Sequence, residues 1–245
     1  MVVAPVIATT SRPTKAHRVE KSTEENAAQD SVADLTRARE VVSLSGIRQQ
    51  GEKTGLGLAA AAVGSPIGFL AACWGTEALD TVLGGALDNL GIVPRSVPGL
   101  VGVPLAPFLH GNWEHLISNS LGVLTAGSLV ALHGPKKFRD VTIMSGLAAG
   151  LGTWAAGRTA IHLGASGVVY GYMGFLMARG LFDRRPLPIV LSVLSTALFA
   201  GSLAGVVPGK EGISWESHLF GMAGGVLAAA TLPVDPPRNS NPFGR

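Results

Sequence analysis

The chain has 245 residues, of which 47% are hydrophobic and only 14% carry a charge, whereas charged residues make up about a quarter of a typical soluble domain. Its mean hydropathy of +0.37 agrees with that imbalance. The net charge of +3 could suggest a nucleic-acid ligand, but the basic residues lie in short clusters between apolar runs, without interleaved aromatics, which argues against nucleic-acid binding. A single cysteine, Cys73, excludes an intramolecular disulfide and a cysteine-rich metal site.

Charged residues are concentrated in the first 55 residues, which hold eight Lys/Arg and seven Asp/Glu. A possible capping box, Ser-Thr-Glu-Glu at 22–25, precedes a stretch that could be helical. We predict that residues 1–55 form a flexible cytoplasmic arm and that residues 56–232 form a membrane domain. Residues 233–245, with four prolines, are predicted to form a disordered cytoplasmic tail.

Six apolar segments of the membrane domain are candidates to cross a bilayer, which takes about 20 residues. The predicted spans are 56–79, 113–132, 141–156, 166–181, 187–206 and 215–232. The third and fourth are short and rich in glycine, as expected of central helices that their neighbours shield from lipid. Residues 80–110, with four prolines, are predicted to form a long loop that partly enters the membrane. The predicted fold class is therefore an all-α membrane protein with a six-helix bundle.

The distribution of Lys and Arg predicts the orientation, because cytoplasmic loops carry an excess of these residues. If the N-terminus is cytoplasmic, the inner segments hold 16 of the 19 Lys/Arg and the outer segments hold three. Both termini are then cytoplasmic, and spans two, four and six enter the membrane from the outer face. His115, Asn119, Ser166 and His218 all lie near the start of those spans. We therefore expect these four side chains at similar depth in the outer half of the membrane.

Ser166 and His218 are the candidate catalytic pair, because polar residues in membrane segments are costly and often functional. A serine hydroxyl becomes a good nucleophile when a neutral imidazole removes its proton. The small-xxx-small pairs Gly167/Gly171 and Gly221/Gly225 would allow the fourth and sixth spans to approach closely. Each residue has a plainer interpretation, in which the serine packs between helices and the histidine is an interior group with its hydrogen bonds satisfied.

His115 and Asn119 are four residues apart, which puts them on one face of a helix. Both can donate hydrogen bonds, so they suit an oxyanion hole completed by the Ser166 backbone N–H. The alternative is a polar network that only joins loop and helix. A metal site built from His110, Glu114, His115, His162 and His218 is also conceivable, but the spacing matches no zinc-protease motif.

The segments His110-Gly-Asn-Trp-Glu-His115-Leu-Ile-Ser-Asn119, Gly164-Ala-Ser166-Gly167 and His218-x-x-Gly221 together resemble the signature of the rhomboid intramembrane serine proteases. The resemblance covers residues 56–232 and leaves the arm and the tail outside. It departs from the family in two places. A Trp-Arg pair common in the first loop is absent from residues 80–110, and Ser217 stands where alanine is common before the histidine.

The resemblance implies roles for individual residues. Ser166 matches the nucleophile and His218 the general base of a dyad without aspartate, and His115 and Asn119 match the oxyanion donors. Tyr170 matches an aromatic residue that packs against the catalytic histidine. Gly164 matches the glycine before the nucleophile, and His110 matches a histidine of more structural role.

The resemblance also implies an enzyme that cleaves transmembrane segments of membrane-anchored proteins and needs no cofactor. The composition, rich in alanine and glycine, suggests a bacterial plasma-membrane protein. The orientation predicted from Lys and Arg puts its site on the extracytoplasmic side. The alternatives are an inactive rhomboid-like protein that binds or escorts transmembrane helices, and a small transporter, which should show repeats that this sequence lacks. The substrate and the oligomeric state are not readable from the sequence.

Overall fold

The structure, a computed structural model, describes residues 64–209 and 212–234. The predicted arm, the start of the first predicted span and nearly all of the predicted tail lie outside these residues. The described residues form eight α-helices: α1 (Pro66–Val82), α2 (Gly102–Leu105), α3 (Trp113–Gly122), α4 (Ser128–Ala131), α5 (Pro135–Ala156), α6 (Ser166–Phe182), α7 (Pro186–Phe199) and α8 (Trp215–Thr231). Within the described residues the fold is all-helical, apart from an isolated antiparallel bridge between Ile92 and His162.

Two of the helices begin at caps that the sequence supplies. Ser65 precedes α1, and its hydroxyl accepts the Gly68 N–H at 3.0 Å, with Pro66 at the first helical position. Asn112 precedes α3, and its side-chain oxygen accepts the His115 N–H at 2.8 Å. The second cap fixes the start of the helix that carries His115 and Asn119.

The helices coincide closely with the later predicted spans. The second span corresponds to α3, a π-helical turn at Val123–Gly127 and α4. The fifth corresponds to α7 and the 3-10 helix Ala200–Val206. The third differs, because α5 starts at Pro135 rather than 141 and so includes Lys137, which is buried and donates to the Pro233 carbonyl. Lys137 lies before the predicted third span, in the loop that the sequence predicts, but in the structure it is part of α5.

Residues 80–110 are more structured than the predicted loop. They contain α2 and three 3-10 helices, Leu87–Leu90, Pro98–Val101 and Ala106–Phe108. Short helical turns satisfy part of the backbone N–H and C=O groups by local hydrogen bonds. A segment with many prolines and glycines can therefore lie in an apolar environment.

One helical segment of the described residues is both long and apolar enough to cross a membrane by length and composition. It is Pro186–Val206, with 21 residues, a mean hydropathy of 2.0 and about a fifth of its residues buried. The six-span count and the orientation of the termini therefore remain predictions.

Helices α6 and α8 pack with their backbones almost in contact. A Cβ atom on Gly221 would lie 1.9 Å from the Gly167 carbonyl oxygen, and one on Gly225 would lie 1.8 Å from that of Gly171. These distances leave no room for a side chain, so the predicted glycine spacing does bring the two helices together. Ser166 begins one of these helices, and His218 lies in the first turn of the other.

Replacing Gly225 by alanine is expected to lower the midpoint of thermal unfolding in detergent strongly. The added methyl group collides with backbone rather than with a flexible side chain, so the cost should reach or exceed the ~1–3 kcal/mol typical of overpacking. Gly75→Ala in α1 is the matched control, because no atom lies within 4 Å of the Cβ it would add. Equal midpoints for the two variants would contradict this packing.

The ends of α6 and α8 opposite Ser166 are joined by a buried guanidinium. Arg179 donates to the carbonyls of Ala229 and Leu232 at 2.8 and 2.9 Å. It also lies 3.6 Å from Asp183, which is as fully buried as Arg179. Hydrogen bonds from Arg185 lower the pKa of the Asp183 carboxyl below its ordinary value. Asp183 is therefore held as a carboxylate, which compensates the buried cation.

Candidate active site

A cavity of about 1000 Å³ opens between α3, α6, the end of α7 and the start of α8. Five of the sequence-predicted site residues line it, namely His115, Asn119, Ser166, Tyr170 and His218. Of the other predicted residues, Gly167 and Gly221 lie in the contact between α6 and α8, and Gly164 and His110 lie beside the turn that leads into Ser166. The structure therefore gathers the predicted residues around one cavity and its walls.

Ser166 is the first residue of α6, and the turn before it is held from both sides. Gly164 adopts a φ of +112°, in the region that favours glycine, and its N–H donates to the Ala106 carbonyl at 2.8 Å. The Ala165 N–H points at His110 Nε2 at 3.4 Å. Nε2 must accept in this contact, so the buried His110 ring carries its proton on Nδ1 and supports the turn. The N–H groups at the start of α6 have no partner within the helix and suit a negative charge.

The His218 ring is fixed in orientation and tautomer. Its Nδ1 lies 2.9 Å from the Gly205 carbonyl oxygen, which can only accept, so Nδ1 carries a proton. In the neutral ring Nε2 then holds a lone pair and can act as a base. The Tyr170 ring stacks on the imidazole with centroids 4.0 Å apart and planes 9° from parallel.

Both rings depend on the 3-10 helix Ala200–Val206. The Tyr170 hydroxyl donates to the Ser202 carbonyl at 2.7 Å, while His218 uses the Gly205 carbonyl of the same segment. The segment approaches so closely that a Cβ on Gly205 would lie 1.9 Å from the Tyr170 hydroxyl. Sequence reasoning missed this segment, because it contributes backbone carbonyls, which any residue has.

Ser166 and His218 line the same cavity but make no hydrogen bond to each other within the part of the chain that the structure describes. Catalytic hydrogen bonds are often long without substrate and tighten in its complex. What the arrangement supplies is a hydroxyl and an unprotonated ring nitrogen in one cleft.

Two donors converge on the turn before Ser166. A Cβ on Gly164 would lie 2.7 Å from His115 Nε2 and 3.2 Å from Asn119 Nδ2, so both side chains contact this glycine. Asn119 Nδ2 is buried, and no hydrogen-bond acceptor reaches it among the described residues. Buried donors are normally satisfied. An unpartnered amide beside the candidate nucleophile is therefore suited to bind an oxygen that develops negative charge.

The remaining histidine of the conceivable metal set is engaged elsewhere. His162 contacts the Ser214 hydroxyl through Nδ1 at 2.7 Å and the Arg158 carbonyl through Nε2 at 3.0 Å. Across residues 64–209 and 212–234, no three His, Cys, Asp or Glu side chains form a group that could hold a metal ion. His162 thus joins the loop before Ser166 to the loop before α8.

Comparison with known proteins gives consistent results. The family model described as Rhomboid domain matches residues 99–234. An uncharacterized protein of Mycobacterium tuberculosis is 38% identical over 173 residues, which cover 67% of this chain and 72% of that protein. An uncharacterized protein of Mycobacterium leprae is also 38% identical over 173 residues, 67% of this chain and 68% of its own. The Bacillus subtilis protein YdcA, whose name assigns it provisionally to the rhomboid proteases, is 28% identical over 155 residues, 60% of this chain and 72% of its own.

Proposed function

Because this chain belongs to the rhomboid family, we propose that it is an intramembrane serine endopeptidase that cleaves transmembrane segments of membrane-anchored proteins. The Rhomboid domain makes it an integral membrane protein. The observation that carries the proposal is that Ser166, Asn119 and His218 line one cavity, with the Asn119 amide unpartnered and the His218 ring protonated on Nδ1. A protein that only binds or escorts transmembrane helices would need a surface for those helices. It would not need a serine, a base and an unpartnered hydrogen-bond donor in one cavity.

In the proposed reaction, His218 Nε2 takes the proton of the Ser166 hydroxyl as Oγ attacks the scissile carbonyl carbon. The oxyanion that forms accepts hydrogen bonds from His115, Asn119 and the Ser166 N–H. His218 then gives its proton to the leaving amine nitrogen, and the C–N bond breaks. A water molecule deprotonated by His218 attacks the acyl-enzyme and releases the second product.

The Gly205 carbonyl has the orienting role that a carboxylate plays in a Ser-His-Asp triad. It accepts the Nδ1–H of His218 throughout, so Nε2 is always the nitrogen that exchanges protons with Ser166 and the leaving group. The stacked Tyr170 ring restricts rotation of the imidazole, and its own hydroxyl is tied to the same 3-10 helix. A carbonyl is neutral, so it orients the imidazolium with less charge stabilisation than aspartate gives.

The topology is part of the proposal. We place both termini in the cytoplasm and the cavity on the extracytoplasmic side of a bacterial plasma membrane, with six spans between residues 56 and 232. The support is the asymmetry of Lys and Arg, 16 against three. Residues 1–55 and 233–245 are proposed to be cytoplasmic extensions of the membrane domain.

A serine-directed fluorophosphonate probe tests the activation of Ser166. The wild-type protein in detergent is expected to be labelled, because the probe phosphonylates, with loss of fluoride, only a serine made nucleophilic by a nearby base. Ser166→Ala is expected to lose the label. Ser118→Ala is the matched control, because Ser118 lines the same cavity, and this variant should label like the wild type. Labelling of Ser166→Ala at the wild-type rate would contradict the assignment.

A further inference from the structure

One permanently charged side chain lines the cavity among the residues that the structure describes, and it is Arg158. It lies in the loop between α5 and α6, eight residues before Ser166. The other polar side chains of the described lining are hydroxyls, an amide and histidines. A substrate in this cavity therefore meets one fixed positive charge and no fixed negative one from these residues.

The guanidinium is held in place at the edge of the cavity. Its Nη2 donates to the Ile213 carbonyl, and its Nε lies 3.9 Å from Glu216 Oε1. The Arg158 backbone N–H also donates to Glu216 Oε1 at 3.1 Å. These contacts tie Arg158 to the loop and first turn of α8, so the charge does not move freely with a flexible side chain.

The Glu216 carboxylate compensates the positive charge of Arg158 from outside the cavity. The Glu216 side chain is 3% exposed and does not line the cavity, whereas the Arg158 side chain is 42% exposed and does. A guanidinium has five N–H donors in a planar fork. With Nη2 bonded to Ile213 and Nε near Glu216, the remaining donors of this partly exposed side chain are suited to a carboxylate from a bound peptide.

We propose that Arg158 makes the protein select substrates that carry an acidic side chain close to the scissile bond. This inference rests on the proposed function and adds a substrate class to it. Arg158 and Ser166 line the same cavity, so a peptide whose scissile bond lies at Ser166 occupies the cavity that the guanidinium also lines. An acidic side chain that flanks the scissile bond can therefore meet the guanidinium within this cavity.

The test is a competition between matched transmembrane reporters in liposomes. The reporters differ at one position, scanned over the five residues on each side of the cleavage site, where they carry Asp, Asn or Lys. At one of these positions the wild type is expected to cleave the Asp reporter about fivefold faster than the Lys reporter, near the upper end for a partly exposed ion pair. Arg158→Glu should reverse the order, and Arg158→Lys should retain it.

The ratio between reporters is measured within each variant, so a general loss of activity does not hide it. Arg95→Gln is the matched control, because Arg95 is an exposed cation that hydrogen-bonds the neighbouring Gly157 carbonyl without lining the cavity. It should leave the ratio unchanged. Equal cleavage of the Asp and Lys reporters by an active wild type overturns this inference alone, as does an unaltered ratio in Arg158→Glu. No cleavage of any reporter by the wild type overturns the proposed function and this inference with it.

Discussion

Replacing His218 by alanine is expected to lower the rate of reporter cleavage by at least about three orders of magnitude. The imidazole is the group proposed to take the Ser166 proton and to return it to the leaving amine. Water in its place is not held in a fixed position and cannot carry out both proton transfers. The measurement is the initial rate at saturating substrate in liposomes, together with fluorophosphonate labelling. The loss should fall on kcat, with KM little changed, because His218 acts on the reacting atoms and not on the rest of the substrate.

His133→Gln is the matched control for that variant. His133 packs edge-to-face against Phe175, with ring centroids 5.4 Å apart, and does not line the cavity. Its loss should leave the rate within about threefold of the wild type, since it takes part in no proton transfer. A His218→Ala protein that cleaves within tenfold of the wild type would show that another group acts as the base.

Gly164→Ala is expected to reduce the cleavage rate by about 100-fold or more without unfolding the protein. The new Cβ would lie 2.5 Å from His115 Cε1, 2.7 Å from His115 Nε2 and 3.2 Å from Asn119 Nδ2. Both proposed oxyanion donors must then move, and each such donor contributes roughly 10²–10³ in kcat. The measurement is kcat for the reporter, alongside thermal unfolding.

The backbone strain of this substitution needs its own control. Gly134 has a φ of +105°, close to the +112° of Gly164, but no atom lies within 4 Å of a Cβ added there. Gly134→Ala therefore puts alanine at a similar positive φ without the collision, and its kcat should stay near that of the wild type. If Gly164→Ala remains folded and its kcat falls no further than that of Gly134→Ala, the two donors do not act at this turn.

The sequence predicted best the elements whose residue pattern follows from one physical constraint, such as the length of an apolar helix or the spacing of glycines where two helices touch. Length and apolarity located the helices beginning at Trp113, Ser166 and Trp215. The spacing of Gly167, Gly171, Gly221 and Gly225 predicted a close approach of α6 and α8, which the structure confirms. Parity of the spans predicts a common membrane depth for the polar residues, which stays a prediction, while the structure shows that they line one cavity.

The parts that sequence could not predict depend on backbone atoms and loop conformation. Nothing in the identity of Gly205 or Ser202 signals that their carbonyls would hold His218 and Tyr170. Arg158 gave no signal either, because its contacts with Ile213 and Glu216 join segments that are far apart in sequence. Proline-rich residues 80–110 were predicted as a loop because proline ends regular helices, but it also favours the first turn of short ones, such as the 3-10 helix that starts at Pro98.

The most direct test of the account uses purified protein in liposomes with a single transmembrane reporter and mass spectrometry of the products. The wild type is predicted to yield two fragments whose masses add to that of the substrate plus one water, with the cut within or beside the transmembrane segment. Ser166→Ala, which removes only the hydroxyl oxygen, is predicted to yield neither fragment. Formation of the same fragments by Ser166→Ala at the wild-type rate would contradict the central claim.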